Sequence, residues 1–263
     1  MSFINKKPAN TFKDILQINN GNSGISASLK QVKSGSDDGS SLYISEDNIK
    51  TQPSADSTTS VVHYDKDGNA LLTIDSVNDM IKSGISQHHI NTQYAHFGDN
   101  FVYTASFIAD YHYPIGFDNQ VRTTTGGDIV NIGNGTNPDT SLTISNNAQE
   151  LVGRFWYVPD NIVIDSAFFW VGADASSGDT IRCHLMAYDI VTTSDATGGD
   201  LSNGVVIADG ADIVNAGYEQ AYYQSMTIQS SSVSAGKALF FTFRQDGVNS
   251  DYSISATIKY HLI

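Results

Sequence analysis

Cysteine is almost absent from this chain of 263 residues, because Cys183 is the only one. No disulfide can form within one chain, and no zinc site can be built from cysteines. In its strand pattern Cys183 is expected to be a small buried hydrophobic residue and not a nucleophile. Stability must therefore come from the burial of apolar surface or from assembly.

Positive charge is scarce as well, with 14 Lys and Arg against 28 Asp and Glu and a net charge of −14. Phosphate backbones repel such a chain, so nucleic-acid binding is disfavoured. The charge is unevenly spread, because residues 1–36 hold five lysines against Asp14 alone. This basic end could dock on an acidic partner or could be an ordinary solvated surface.

Long apolar runs are also missing. The chain has no stretch of about 18 apolar residues, so membrane insertion is not expected. Its start, "MSFINKKPANTFKDILQ", has lysines but lacks the apolar stretch of a signal peptide. Secretion by that route is therefore not expected.

Motifs for catalysis and for cofactors are lacking too. Asp110, His112 and the serines supply the residue types of a triad, but no nucleophile elbow and no phosphate loop accompany them. His88, His89 and His96 form a cluster in which adjacent side chains on a strand would point to opposite faces, which disfavours a shared metal ion. We therefore predict that the protein is not an enzyme and needs no cofactor and no metal.

The front of the chain, residues 1–60, does contain short apolar pieces, separated by Gly, Ser, Asn and Asp. These pieces are too short to form the core of a free globular domain, because isolated short strands and hairpins are marginal in water. We predict an extended N-terminal arm that is stabilised by something outside itself.

Residues 61–100 are predicted to form a short β-hairpin stalk, in which apolar residues recur with a period of two. Such strands cannot bury their apolar faces within one chain, but three chains wound together could do so. The predicted trimer interface consists of Val62, Tyr64, Leu72 and Ile74.

Between the two strands of this stalk lies "DKDGN", residues 65–69, which raises the choice between a calcium loop and a tight turn. A calcium loop that starts at Asp65 needs Gly at its sixth position and Glu at its twelfth, where the chain has Ala70 and Ser76. An Asp-Gly step beside Asn supplies the positive φ angles of a hairpin turn. The sequence therefore favours the hairpin.

Residues 101–263 contain longer strands separated by turn clusters such as "GADASSGD". This pattern predicts an all-β domain, a jelly-roll-like antiparallel β-sandwich. The strand "IDSAFFWVG" carries bulk on both sides, with Phe168 and Trp170 opposite Phe169, which is typical of a strand between two layers or in a subunit interface. The residues predicted to share the buried face of the last strand are Ile254, Ala256, Ile258, Tyr260 and Leu262.

Tyrosines in or beside the predicted loops are the remaining functional feature. Their rings could stack on sugars, could be buried in a neighbouring subunit, or could lie at strand ends with their hydroxyls in water. The candidates for contact with a glycan or a partner are Tyr111, Tyr113, Tyr218, Tyr222 and Tyr223.

Three elements in the first 97 residues resemble the N-terminal portion of tailed-bacteriophage virion proteins of the fibre and head-decoration type. They are the opening "LQINNGNSG", the strand "DGSSLYIS" and the repeat-like element "LLTIDSVNDMIK". The resemblance implies attachment to the particle through the N-terminal part, trimers, no cofactor and no catalysis. The particle-anchoring residues that it implies are Lys6, Lys7, Phe12, Lys13, Ile15, Leu16 and Ile18.

Together these observations predict a homotrimeric surface decoration or short head fibre on the outer surface of a phage virion. It would be assembled in the host cytoplasm, with the major capsid protein or another virion protein as its partner. The compact length, with one stalk element, favours the head over the tail. The alternative is a tail-fibre or receptor-binding protein whose sandwich binds a host-surface glycan.

Overall fold

The structure is a computed structural model that describes residues 15–21, 23–101, 109–117, 132–133, 152–175, 178–192, 201–246 and 251–263. The chain divides into two compact units, Met1–Ile90 and Asn91–Ile263. The named secondary structure of the described residues is all β-strand, and the sheets are antiparallel. The prediction of an all-β chain is confirmed.

In its described residues, the first unit holds two four-stranded sheets, each a meander in which strands adjacent in the chain are adjacent in the sheet. The first sheet consists of β1 (Leu16–Ile18), β2 (Lys30–Ser34), β3 (Gly39–Ile44) and β4 (Ile49–Thr51). The second sheet consists of β5 (Val61–Tyr64), β6 (Ala70–Asp75), β7 (Met80–Ser83) and β8 (His88–His89). The described part of the predicted arm is thus a sheet and not an extended segment, because each short strand satisfies its backbone groups by pairing with the next.

The hairpin predicted around "DKDGN" is confirmed. The Asp65 N–H donates to the Asn69 carbonyl at 2.9 Å, and Gly68 has a φ of 85°. One Asp65 carboxylate oxygen accepts from the backbone N–H groups of Asp67 and Asn69, and the other accepts from the Asn69 side chain. The carboxylate of Asp65 therefore fixes the turn by local hydrogen bonds, as short polar side chains do in turns.

The described residues of the second unit form a β-sandwich of two sheets. In chain order the strands are β9 (Thr92–Phe101), β10 (His112–Ile115), β11 (Trp156–Tyr157), β12 (Ile162–Ala173), β13 (Thr180–Ile190), β14 (Leu201–Asp209), β15 (Ile213–Val214), β16 (Gln220–Ser225), β17 (Thr227–Ile228), β18 (Ser232–Val233), β19 (Lys237–Gln245) and β20 (Tyr252–Leu262). Since β9 pairs with β20 from Thr92 to Phe101, the predicted boundary at residue 101 moves to Asn91.

The two sheets of the second unit differ in size. The five-stranded sheet has the order β16-β12-β20-β9, with β18 also paired to β12. The seven-stranded sheet has the order β10-β19-β13-β14-β17, with β11 paired to β19 and β15 paired to β13. Aromatic rings from both sheets meet between them, because Phe97 of β9 lies 5.1 Å from Phe241 of β19, centroid to centroid.

The core of the second unit follows the alternation predicted for its strands. In β20, Ile254, Ala256 and Ile258 are buried, whereas Ser255 is exposed, which confirms the predicted inner face. Cys183 has no exposed surface, and burial raises the pKa of its thiol well above its usual range. Its placement among core residues confirms that it packs as a small hydrophobic residue.

Candidate functional site

Most of the large apolar side chains in the described part of the first unit are in contact with water. Among the described residues of that unit, Val32 is the only buried hydrophobic residue, and the described core cluster begins at Ala95. The exposed large hydrophobic residues there are Ile15, Leu16, Ile25, Leu29, Leu42, Ile49, Tyr64, Leu71, Val77, Ile81, Ile85 and Ile90. Full burial of such a side chain is worth about 1.5–3 kcal/mol, which these sheets do not obtain within the described part of the unit.

The two sheets of the first unit repeat one pattern of strand pairing. The equivalent pairs are Leu42–Thr51, Tyr43–Lys50 and Ile44–Ile49 in the first sheet, and Leu72–Ser83, Thr73–Lys82 and Ile74–Ile81 in the second. Residues directly opposite each other, and residues two apart on a strand, share a face. We call the set of Leu42, Ile44, Ile49, Leu72, Ile74 and Ile81 the repeated apolar face.

The sequence carries this repeat as "LYISEDNIK" and "LTIDSVNDMIK", which begin 30 residues apart. The prediction of a single stalk element missed it, because the two copies share few identical residues. What they share is a Leu-x-Ile strand before the turn and an Ile-Lys step after it. The turn of the second copy is two residues longer, so the repeat is visible in the strand pairing and not in a fixed spacing of the sequence.

The four residues predicted for the trimer interface divide between two faces of the second sheet. In the pairing of β5 with β6, Val61 lies opposite Ile74, and Val62 lies opposite Thr73. Because neighbours along a strand point to opposite faces, Val62 shares a face with Thr73, and Leu72 and Ile74 share the other face. The structure therefore does not bring all four together. Only Leu72 and Ile74 belong to the repeated apolar face.

The predicted anchoring residues are partly within the described chain. Leu16 lies on β1 with 74% of its surface exposed, beside Ile15, which is also exposed, and Ile18, which is half-buried. Strand β1 is at the edge of its sheet, the position from which another chain can extend a sheet. The predicted residues outside the described chain are Lys6, Lys7, Phe12 and Lys13.

The turn between β6 and β7 is held by a buried carboxylate. Asp75 is 1% exposed, and it accepts hydrogen bonds from the Val77 N–H at 3.1 Å and from the Asn78 side chain at 2.9 Å. Lys82 Nζ lies 3.2 Å from the same carboxylate. The hydrogen bond from the Asn78 side chain, with further help from the Asn78 backbone and Lys82, outweighs burial and lowers the pKa of Asp75 below its ordinary value of 3.8.

Acid should open this turn. Because the folded-state pKa of Asp75 is lowered, its carboxylate stabilises the fold above the unfolded pKa, and this contribution is lost as the pH falls through the folded pKa. We expect the Asn78 amide to lose protection from hydrogen exchange in that acid range. Asp75→Ala should remove the protection at neutral pH, while Asp67→Ala, in the exposed neighbouring turn, should leave it intact. An unchanged acid response in Asp75→Ala would contradict this assignment.

The five candidate tyrosines have different environments. Tyr113 is 2% exposed in the core, Tyr111 packs partly against it, and Tyr222 donates its hydroxyl to Asn215 Oδ1 at 2.9 Å. Tyr218 and Tyr223 are the exposed members, at 72% and 54%. Of the five, these two present their rings to solvent. Of these two exposed tyrosines, only Tyr223 lies on a strand, β16, where its orientation is fixed by pairing.

A buried ionic cluster lies on the seven-stranded sheet, on the side away from the sandwich core. Arg182 Nη2 lies 2.8 Å from Asp209 Oδ2, and His184 Nε2 lies 3.1 Å from Asp209 Oδ1. The His184 ring packs edge to face on His112, whose Nδ1 lies 3.1 Å from the Thr242 hydroxyl. Burial opposes the charge of Arg182, but its bonds to Asp209 outweigh it and raise the guanidinium pKa.

The polar side chains of this cluster pair with one another. Asp209 contacts both Arg182 and His184, and Asp110 forms a separate ion pair with Arg244 at 2.5 Å. The triad residue types noted in the sequence, Asp110 and His112, thus have partners from the sheet framework. The cluster fits a role in stabilising the sheet, because the Asp209 carboxylate is paired with the Arg182 guanidinium and lies within reach of His184.

The three clustered histidines are divided between two sheets. His88 and His89 lie next to each other on β8, opposite Ser83 and Lys82 of β7, so their side chains point to opposite faces. His96 belongs to β9, where its Nδ1 lies 2.9 Å from the hydroxyl of Thr257.

The described part of the chain contains no helix that is long and apolar enough to span a membrane. Comparison with protein-family models and with curated proteins gave no match. Function therefore has to be inferred from the sheets and surfaces of this chain alone.

Proposed function

We propose that the protein is a non-enzymatic structural component of a phage virion, a homotrimeric surface decoration or short head fibre. The observation that carries the proposal is the first unit, whose described residues form sheets with a repeated apolar face and almost no buried hydrophobic residue. Sheets of this kind become stable when equivalent faces of identical chains pack together.

For the outer domain we propose a jelly roll. Apart from the two-residue strands, its strands lie in the orders β16-β12-β20-β9 and β10-β19-β13-β14. In chain order, β9 is the first of these strands and pairs with the last, β20, while β10 is the second and pairs with the last but one, β19. A long hairpin rolled around itself gives such an order. This order supports a jelly roll, an architecture that occurs in viral capsid proteins and in lectins.

In this proposal the N-terminal region binds the major capsid protein or another virion protein, and the sandwich faces solvent on the outer surface. The charge distribution supports this orientation. The lysines of residues 1–36 can meet an acidic partner, while the acidic remainder keeps the outer surface soluble. Assembly would take place in the host cytoplasm.

Removal of residues 1–60 tests the anchor. We expect the truncated protein to be soluble but absent from purified particles. Leu16→Asp should reduce the copies per particle by about tenfold or more, because a buried leucine is worth about 1.5–3 kcal/mol. Val205→Asp, at an exposed position of the second unit, is the matched control and should be incorporated normally.

Two outcomes would contradict this proposal. Truncated protein that is still found on particles would remove the anchor assignment. Immunogold label at the tail tip, with none on the head, would overturn the head location in favour of a tail-fibre protein.

A further inference from the structure

The outer face of the five-stranded sheet presents aromatic rings to solvent. Phe169 and Val171 of β12 point into the core with no exposed surface, so Phe168 and Trp170 point outward. Strand pairing places Trp170 between Tyr223 of β16 and Ser255 of β20. We call the set of Phe168, Trp170, Tyr223, Ser225, Ser255 and Thr257 the aromatic face.

The rings of this face support one another. Trp170 is 49% exposed and Tyr223 is 54% exposed, and their centroids lie 5.0 Å apart with the planes tilted by 50°. Phe168 lies behind them, 6.0 Å from Tyr223, and is partly buried. Because all three rings stand on paired strands, the surface is held in place before any ligand binds, which reduces the entropic cost of binding.

Hydroxyl groups surround the rings. Ser225 and Thr257 flank Phe168 in the strand pairing, and Ser255 flanks Trp170. Ser225 and Ser255 are exposed, while the Thr257 hydroxyl lies 2.9 Å from His96. The face therefore combines stacking surfaces with hydrogen-bonding groups, which is the combination that a sugar ring with an apolar face and a rim of hydroxyls requires.

Charge also distinguishes this face from the rest of the protein. The chain has a net charge of −14, yet Lys259 lies at an outward position next to Thr257, and the nearby carboxylate of Asp165 is paired with His261 at 2.9 Å. Tyr94, 58% exposed, lies opposite Lys259. An acidic ligand therefore meets less repulsion here than on the rest of this acidic chain.

We propose that the aromatic face binds a carbohydrate chain, with acidic sugars preferred over neutral ones. The apolar face of a pyranose ring would stack on Trp170 and Tyr223, and its hydroxyls would bond to Ser225 and Ser255. Lys259 would attract a sugar carboxylate or sulfate. From Ser255 to Lys259 the strand runs roughly 13 Å, so the surface accommodates an oligosaccharide.

Nucleic acid is the other ligand class that stacks on exposed aromatic rings. Its phosphate backbone needs a basic groove, which a single lysine and a histidine do not supply in a chain of net charge −14. Carbohydrate is therefore favoured. This inference uses the second unit alone and does not depend on the virion role or on trimer formation.

A panel of immobilised polysaccharides, including hyaluronan as an acidic probe and dextran as a neutral one, tests the proposal with the full chain. We expect binding to be stronger for the acidic members. Trp170→Ala and Tyr223→Ala should each weaken binding by about tenfold, the loss expected when roughly 1.4 kcal/mol of aromatic contact is removed. Lys259→Gln should abolish the preference for acidic members.

Tyr157→Ala is the matched control, because Tyr157 is 54% exposed, as is Tyr223, but lies on β11 of the other sheet. It should bind normally, and circular dichroism should show all variants folded. Absence of binding across the panel would overturn the proposal, as would an equal loss in Tyr157→Ala. A change of sedimenting mass in Trp170→Ala would instead identify the face as a contact between copies. A failed virion-incorporation test would leave these outcomes unchanged.

Discussion

Residues 91–263 expressed alone should fold as a cooperative monomer, whereas residues 1–90 expressed alone should not. The described core cluster, from Ala95 to Tyr260, lies wholly in the second unit. The first unit has Val32 as its one buried hydrophobic residue among those described. Without a core, the gain from burial cannot offset the conformational entropy lost on folding.

Thermal melts followed by circular dichroism, with sedimentation to give the mass, measure both fragments. The fragment of residues 1–90 should gain structure only as it trimerises, so its melting midpoint should rise with protein concentration. Ile74→Asp on the repeated apolar face should prevent this, while Lys66→Asp, in the exposed turn between β5 and β6, should have a small effect. A monomeric first unit with a sharp melting transition in dilute solution would remove the basis of the proposed trimer.

Asp209→Ala should be the most damaging single change to the ionic cluster of the second unit. It leaves Arg182 and His184 without their shared carboxylate, and the side chain of His184 has no exposed surface. Removing one partner from a buried ion pair costs about 3–5 kcal/mol, and the partial exposure of Asp209 favours the lower end. Asp212→Ala should cost less than about 1 kcal/mol, because its bond to Arg182 is half-exposed.

Urea unfolding followed by tryptophan fluorescence reports this effect selectively, because both tryptophans, Trp156 and Trp170, lie in the second unit. The first unit is spectroscopically silent in this measurement. Asp209→Asn retains the volume and tests charge separately from packing. Equal losses in Asp209→Ala and Asp212→Ala would show that the cluster does not stabilise the sheet.

The sequence predicted best those strands that bury a single face. In β20 the alternation of Ile254, Ser255 and Ala256 is enough to fix which side is inward, because one side meets the core and the other meets water. The turn at Gly68 was likewise predictable, because few sequences other than Asp-Gly with Asn supply its positive φ.

Prediction failed where the answer depends on which strands meet. In β13, His184, Met186 and Tyr188 point to the side opposite Cys183 and yet are at most 1% exposed. The alternation of the sequence could not predict this, because periodicity does not show what packs over a sheet. That Val62 does not share a face with Leu72 and Ile74 could not be predicted either, because the register of β5 on β6 is set by their turn and a bulge, and not by the apolar residues themselves.

Trp170 illustrates the same limit of prediction from sequence, because it is exposed where the pattern indicates a covered side chain. Bulk on both sides of β12 is typical of a strand between two layers, but the side with Phe168 and Trp170 is left open to water. Only the strand order, with β12 between β16 and β20 on an outer surface, identifies it as a ligand-binding candidate.

The matching pairing of the two meanders also affects how this protein can evolve. Copying the stretch of gene that encodes one meander would add a block whose side-chain arrangement already suits its neighbour, so insertion need not disturb the rest. Related chains should therefore differ in length by whole blocks of about 30 residues, as expected for stacked repeats. The size of the first unit would then change in discrete steps.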